Sequence, residues 1–130
     1  MSTLLTVTPP ALEPVDLVDA KAHLRVDGTQ DDALITSLIT AARQVAEGLL
    51  GRALITQTLR YVRDEAPARD FTLPRTPLQS ITHVKVYDDA DNATLVPATQ
   101  YLLDAPSGRV ALRNGAVWPS IARSMNGFEV

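Results

Sequence analysis

Between Asp31 and Gly51 apolar and polar positions recur with a helical period. At about 100° per residue, Thr36, Thr40, Arg43, Gln44 and Glu47 fall on one narrow polar strip. Opposite lies an apolar arc of Leu34, Ile35, Leu38, Ile39, Ala41, Ala42, Val45, Ala46, Leu49 and Leu50. The pattern predicts a single helix of about five turns. Two aspartates open it at the positive end of its dipole, and Gly51 stands at the C′ position. The arc covers roughly half the wheel, wider than the ~100° stripe that one core requires. The expectation is burial on two sides, one of them supplied by another subunit.

The flanking patterns complete an α+β reading. Residues 1–15 hold three prolines without helical period and read as an extended N-terminal arm. Leu4-Leu5-Thr6-Val7 is the part able to pair, either with its own domain or with a neighbour. Asp16 is a good N-cap for a short helix ending near Val26, with Leu17, Ala20 and Leu24 expected inward. Asp27-Gly28-Thr29-Gln30 then turns into the long helix, making a helical hairpin over residues 16–51. After Gly51 the period changes to β. Predicted strands are Arg52 to Arg63, Phe71-Thr72-Leu73, Ser80 to Tyr87 and Thr94-Leu95-Val96. Pro106-Ser107-Gly108 marks a hairpin between Tyr101-Leu102-Leu103 and Arg109 to Arg113, and Phe128-Glu129-Val130 opens a last strand. Within Ser80–Tyr87, Thr82, Val84 and Val86 share one face, and Ile81, His83, Lys85 and Tyr87 the other. Residues 52–130 thus form a small antiparallel β region, and residues 16–130 one domain.

Composition narrows the function. The chain has 130 residues, 45% hydrophobic and 21% charged, as expected of one globular domain. No apolar run approaches the ~20 residues of a membrane span, and the first residues lack the features of a signal peptide. Without cysteine there are no disulfides or thiolate metal sites, which suits a reducing compartment. The net charge is −3. Residues 1–50 carry three bases and seven acids, residues 51–130 nine bases and eight acids. Neither half has the concentrated positive field of a duplex-DNA binder.

No catalytic signature emerges. Asp27-x-Thr29-x-Asp31 begins like a calcium loop, but Asp32 replaces the required glycine and Leu38 the bidentate glutamate. It reads as a capped turn. Asp88, Asp89, Asp91 and Asn92 read as an exposed hairpin tip. His23 and His83 lie 60 positions apart with no nucleophile elbow, phosphate loop or zinc motif. No catalytic residue, metal ligand or cofactor is assigned. Arg60, Arg63, Arg69 and Arg75 gather in the first β segments, as solvated charges or as pairs with an acidic partner surface. Trp118, the single tryptophan, is an anchor of the β region and a candidate interface residue. The subunit-interface candidates are Leu34, Ile35, Leu38, Ile39, Val45, Leu49 and Trp118. The partner-interface candidates are the four arginines.

The order of motifs is also specific. Val18-Asp19-Ala20-Lys21-Ala22-His23-Leu24-Arg25-Val26 precedes Asp31-Asp32-Ala33-Leu34-Ile35. Gly51-Arg52-Ala53-Leu54-Ile55-Thr56-Gln57-Thr58 and Leu73-Pro74-Arg75-Thr76-Pro77-Leu78-Gln79-Ser80-Ile81 follow. Tyr101, Gly108-Arg109-Val110 and Trp118-Pro119 complete the series. From about Pro14 to Val130 this resembles the head–tail connector (adaptor) proteins of long-tailed phages, the gp6-like and phiE125 gp8-like group. The resemblance implies a structural virion protein, not an enzyme, assembled in the host cytoplasm as a ring of usually twelve copies at the head–tail neck. Its implied partners are the portal protein and a stopper or tail-completion protein, with DNA passing through the channel without specific binding. The modest negative charge fits such a channel, since few cations would hold DNA. Family members generally continue past the position of Val130 into a C-terminal helix or tail. The alternatives are a head-closure (stopper) or tail-terminator protein, or a small α+β ligand-binding domain or enzyme with a site built from scattered residues.

Overall fold

The α+β architecture is present throughout residues 1–130, the span described by the computed structural model. Its hairpin forms where the capping residues place it. Asp16 adopts extended backbone and accepts the Asp19 N–H on Oδ1 at 2.8 Å, opening α1 (Leu17–Leu24). Arg25 then turns left-handed, and the N–H groups of Arg25 and Val26 close on the carbonyls of Ala22 and Lys21. The following turn is fastened by Lys21, whose Nζ donates to the Gly28 carbonyl and pairs with Asp32 Oδ1 at 2.6 Å. α2 runs from Asp32 to Leu50 and ends at Gly51, left-handed at φ 64°.

The β body contains two antiparallel sheets. The larger has the order β1 (Ser2–Thr8), β2 (Thr58–Arg63), β8 (Phe128–Glu129), β4 (Lys85–Tyr87), β5 (Ala93–Leu95). The smaller has the order β3 (Asp70–Thr72), β7 (Arg109–Leu112), β6 (Tyr101–Asp104). The N-terminal segment therefore pairs with its own chain: Ser2 stands opposite Arg63 and Thr8 opposite Thr58. The Met1 ammonium group holds Asp64 at 2.9 Å. β8 lies between β2 and β4, with Phe128 opposite both Arg63 and Val86.

Two predicted strands are shorter than their sequence patterns. Only Thr58–Arg63 of the 52–63 segment joins the ladder. Residues 52–57 carry the chain from α2 to the sheet, tied by an Arg52–Thr76 bridge. Ser80 to Val84 lies outside the ladder: β4 pairs with β5 over Lys85–Tyr87 and with β8 at Lys85 and Val86. The alternation nevertheless persists. Val84 and Val86 are fully buried, while His83, Lys85 and Tyr87 lie on the opposite side around Glu129.

Both sheets feed one core of Phe71, Leu73, Val84, Val86, Val96, Tyr101, Val110 and Phe128. Phe71, Trp118 and Phe128 pack edge to face with centroids 5.3–6.0 Å apart. The Trp118 indole N–H donates to the Ala68 carbonyl at 3.0 Å, so this half-buried ring anchors the core's edge. No helical residue belongs to that core. The inward expectation for α1 holds only in part: Leu17 and Ala20 are half-buried, whereas Leu24 is mostly exposed.

Candidate assembly interface

α2 packs chiefly on α1 and turns toward the rest of the chain a mixed face of Ile35, Ile39, Thr40, Arg43, Ala46 and Glu47, while Thr36 and Gln44 of the polar strip stay exposed. Arg43 and Glu47 are 7% and 4% exposed. Leu34, Leu38, Val45 and Leu49 are between 56% and 84% exposed. The two-sided burial expected of the arc is therefore absent within one chain. Of the arc, only Ile35 is buried; Ile39 and Ala46 are half-buried. Ile35 is thus an internal residue rather than a free interface position.

The inversion has a specific cause. Glu13, in the Pro-rich segment before α1, reaches α2 and accepts Arg43 Nε at 2.6 Å and the Thr40 hydroxyl at 2.9 Å. Arg43 Nη1 donates to Glu47 Oε2 at 2.9 Å. The other Glu47 oxygen accepts the Leu54 N–H at 2.9 Å and the Gln57 amide at 2.8 Å. One buried network thus ties the arm, the helix and the 52–57 segment. Hydrogen bonding from Arg43 holds the Glu13 carboxyl below its ordinary value. Burial pushes Glu47 upward, but the Leu54 N–H, Gln57 and Arg43 outweigh it and leave it lowered. The Glu13 hydrogen bond and charge raise the Arg43 guanidinium. Such pairing is what permits charge on a buried face. The i,i+4 pairing of Arg43 and Glu47 was a visible hint; Glu13 carried none.

The apolar residues left outside form a continuous stripe. Leu34, Leu38, Ala41, Val45 and Leu49 follow 4-3-4-4 spacing, the pattern by which one helix packs on another. A contiguous uncovered apolar surface of this kind is uncommon on a chain that stands alone.

The four arginines are placed differently. Arg69 Nη2 donates to the Arg113 carbonyl at 3.0 Å, an internal tie. Arg63 is half-buried beside the sheet edge. Arg60 and Arg75 line a groove of about 850 Å³ between the β2–β8 region and the Pro74–His83 segment. Also on that groove, Glu129 accepts His83 Nε2 at 2.8 Å and the Tyr87 hydroxyl at 3.2 Å. Burial raises Glu129, yet these hydrogen bonds, with the charges of His83 and Arg60, leave it below its ordinary value. The cluster holds no nucleophile with a base beside it and joins two strands. Asp88 accepts the N–H groups of Ala90 and Asn92 and the Asn92 amide, so that aspartate-rich loop is a self-bonded turn.

The chain is thus an α+β domain with an internally bonded polar network and an uncovered apolar helix face. Residues 14–93 match the family described as phage gp6-like head-tail connector protein, and the chain belongs to that family. Its fold is similar to a chain in the neck of an empty gene transfer agent particle computed with C6 symmetry. There the TM-score is 0.75 at 25% identity, over 98% of this chain and 67% of that one. A chain in the virion of a native gene transfer agent particle gives a TM-score of 0.72 at 26% identity, again over 98% and 67%. No curated protein matches the chain in sequence.

Proposed function

We propose that this connector is a structural component of the virion neck, assembled as a ring of identical copies between the portal and the stopper or tail. Membership of the head–tail connector family supports the role, and the likeness to chains of gene transfer agent particles supports the location. Twelve copies fit a neck with sixfold symmetry, which holds its subunits in multiples of six. The carrying observation is the uncovered stripe of α2. Leu34, Leu38, Val45 and Leu49, flanked by half-buried Ile39, are the surface that neighbouring copies would cover. Residues 16–130 serve as the adaptor domain in this reading, with the 1–15 segment fastened to it through β1 and Glu13. Trp118, packed on Phe71 and Phe128, shapes the body rather than a contact. The role is not enzymatic. A net charge of −3 supports passage of DNA without retention, because the chain carries no net excess of cations to displace its counterions.

Light-scattering mass after size exclusion tests this, on the chain alone and mixed with the portal encoded beside it. A ring-sized species, or co-elution with the portal as one, is the expected result. A compact monomer indifferent to the portal at high concentration would overturn the reading.

A further inference from the structure

We propose that the groove beside Arg60 and Arg75 receives the acidic hairpin turn of a second copy of this chain, around Asp27 and Asp31. The inference rests on the ring reading above and adds a charged pairing to the contact made by the α2 stripe.

The groove is apolar where Leu59, Tyr61, Leu78 and Ile81 line it. Its charged lining is three cations, Arg60, Arg75 and Lys85, against the single carboxylate of Glu129. That carboxylate is already bound by His83 and Tyr87 and pairs with Lys85 at 4.0 Å, which leaves Arg60 and Arg75 as the cations without a partner. Neither Arg60 nor Arg75 has a salt bridge within the chain. Nη1 of Arg75 is buried with no hydrogen-bond partner within the chain, a costly state that leaves this guanidinium short of a bond.

The complement lies at the other end of the molecule. Asp19, Asp27 and Asp31 are exposed and unpaired. Residues 16–32 carry five acids against Lys21 and Arg25, and Lys21 is occupied by Asp32. The turn sits at the N-terminal end of α2, whereas the groove begins just beyond its C-terminal end, at Ala53–Gln57. α2, about 28 Å long, runs between the turn and the segment where the groove begins. A hairpin so held cannot fill its own groove. It can fill a neighbour's, and a head-to-tail contact between unlike surfaces closes into a ring when the rotation permits. Each copy supplies one turn and one groove, so a closed ring leaves neither charge unpaired and hides the basic lining from DNA.

Two charge reversals test the pairing: Asp27→Lys with Asp31→Lys, and Arg60→Glu with Arg75→Glu. Each alone should weaken ring formation about tenfold or more, read by light-scattering mass across a dilution series. An equimolar mixture of the two, or one chain carrying all four changes, should recover it, because both altered contacts are again of opposite sign. Arg60→Glu alone, at an exposed position, reads the groove should the Arg75 change disturb folding. A ring unaffected by both reversals but lost in Leu38→Glu/Val45→Glu would overturn the groove pairing and leave the ring reading standing. Loss in each reversal without rescue in the mixture would also overturn it. So would reversals that spare the ring and remove portal binding, since the groove would then hold the portal. A wild-type chain that stays monomeric alone and with the portal would remove the ring reading and this pairing together.

Discussion

Arg43 Nη1 lies 2.9 Å from Glu47 Oε2 on the buried side of α2, while Val45, between them in sequence, is 61% exposed. The long helix thus buries two charges beside Ile35 on its inner face and leaves Leu34, Leu38, Val45 and Leu49 outside. The arrangement is stable because every charge of the network has partners. The outer apolar face stays uncovered within the chain.

Removing the centre of that network should be expensive. Arg43→Ala strands Glu47 with only part of its partners and releases Glu13, so we expect a loss of about 3 kcal/mol. Urea unfolding of the isolated chain measures it. A loss below about 0.5 kcal/mol would show that the network contributes nothing net.

The same carboxylates set an acid limit. Glu13, Glu47 and Glu129 all lie below their ordinary value of 4.5 in the folded chain. A depressed folded pKa contributes stability that is complete above the unfolded value and lost as pH falls through the folded one. Stability should therefore be flat near neutrality and decline below about pH 4.5. Glu47→Gln should be weaker than wild type at pH 7 and lose less on acidification. Urea midpoints from pH 7 to pH 3 would reveal an unchanged acid slope if Glu47 were not involved.

The two faces of α2 should separate by phenotype. Leu38→Glu and Val45→Glu alter exposed positions and should change monomer stability by no more than about 0.5 kcal/mol. They should nevertheless abolish ring-sized mass. Ile35→Ala, at a buried position, should cost about 3 kcal/mol. Thermal melts beside light scattering distinguish these outcomes, and self-association undisturbed by both glutamates would exclude the stripe from the contact.

Trp118 offers a probe of the β body, being the single tryptophan. Trp118→Phe retains an aromatic ring beside Phe71 and Phe128 but loses the bond to the Ala68 carbonyl, at a cost of about 1 kcal/mol. Trp118→Ala also opens the aromatic cluster and should cost about 3 kcal/mol. Equal losses in the two variants, by denaturant midpoint, would mean that the ring packing is immaterial.

A tight turn in the smaller sheet supplies a last check. Gly108 has φ 71°, and a Cβ there would lie 2.6 Å from Thr76 Cγ2 and 2.9 Å from the Leu73 carbonyl oxygen. Gly108→Ala should therefore lose about 2 kcal/mol, through left-handed strain and displacement of the Leu73 backbone. A melting temperature within a degree of wild type would contradict that.

Local chemistry in the sequence determined the hairpin. Asp16 capping α1, Gly51 ending α2 and the Gly108 turn are all short-range choices among backbone states, legible without a partner. Periodicity likewise identified the amphipathic long helix and the alternation of Val84 and Val86. Tertiary structure alone decided which side of that helix is the inside. A wheel separates apolar from polar residues, but the cover over α2 comes from Glu13, thirty residues before Arg43, and from Leu54 and Gln57 beyond the helix. Tertiary structure also placed β8 between β2 and β4, which brought Glu129 to His83 and Tyr87. The groove of Arg60 and Arg75 depends on the same placement, because its walls come from segments far apart in the chain. Pairings of that range leave no periodic trace in either partner, so only the folded chain discloses them.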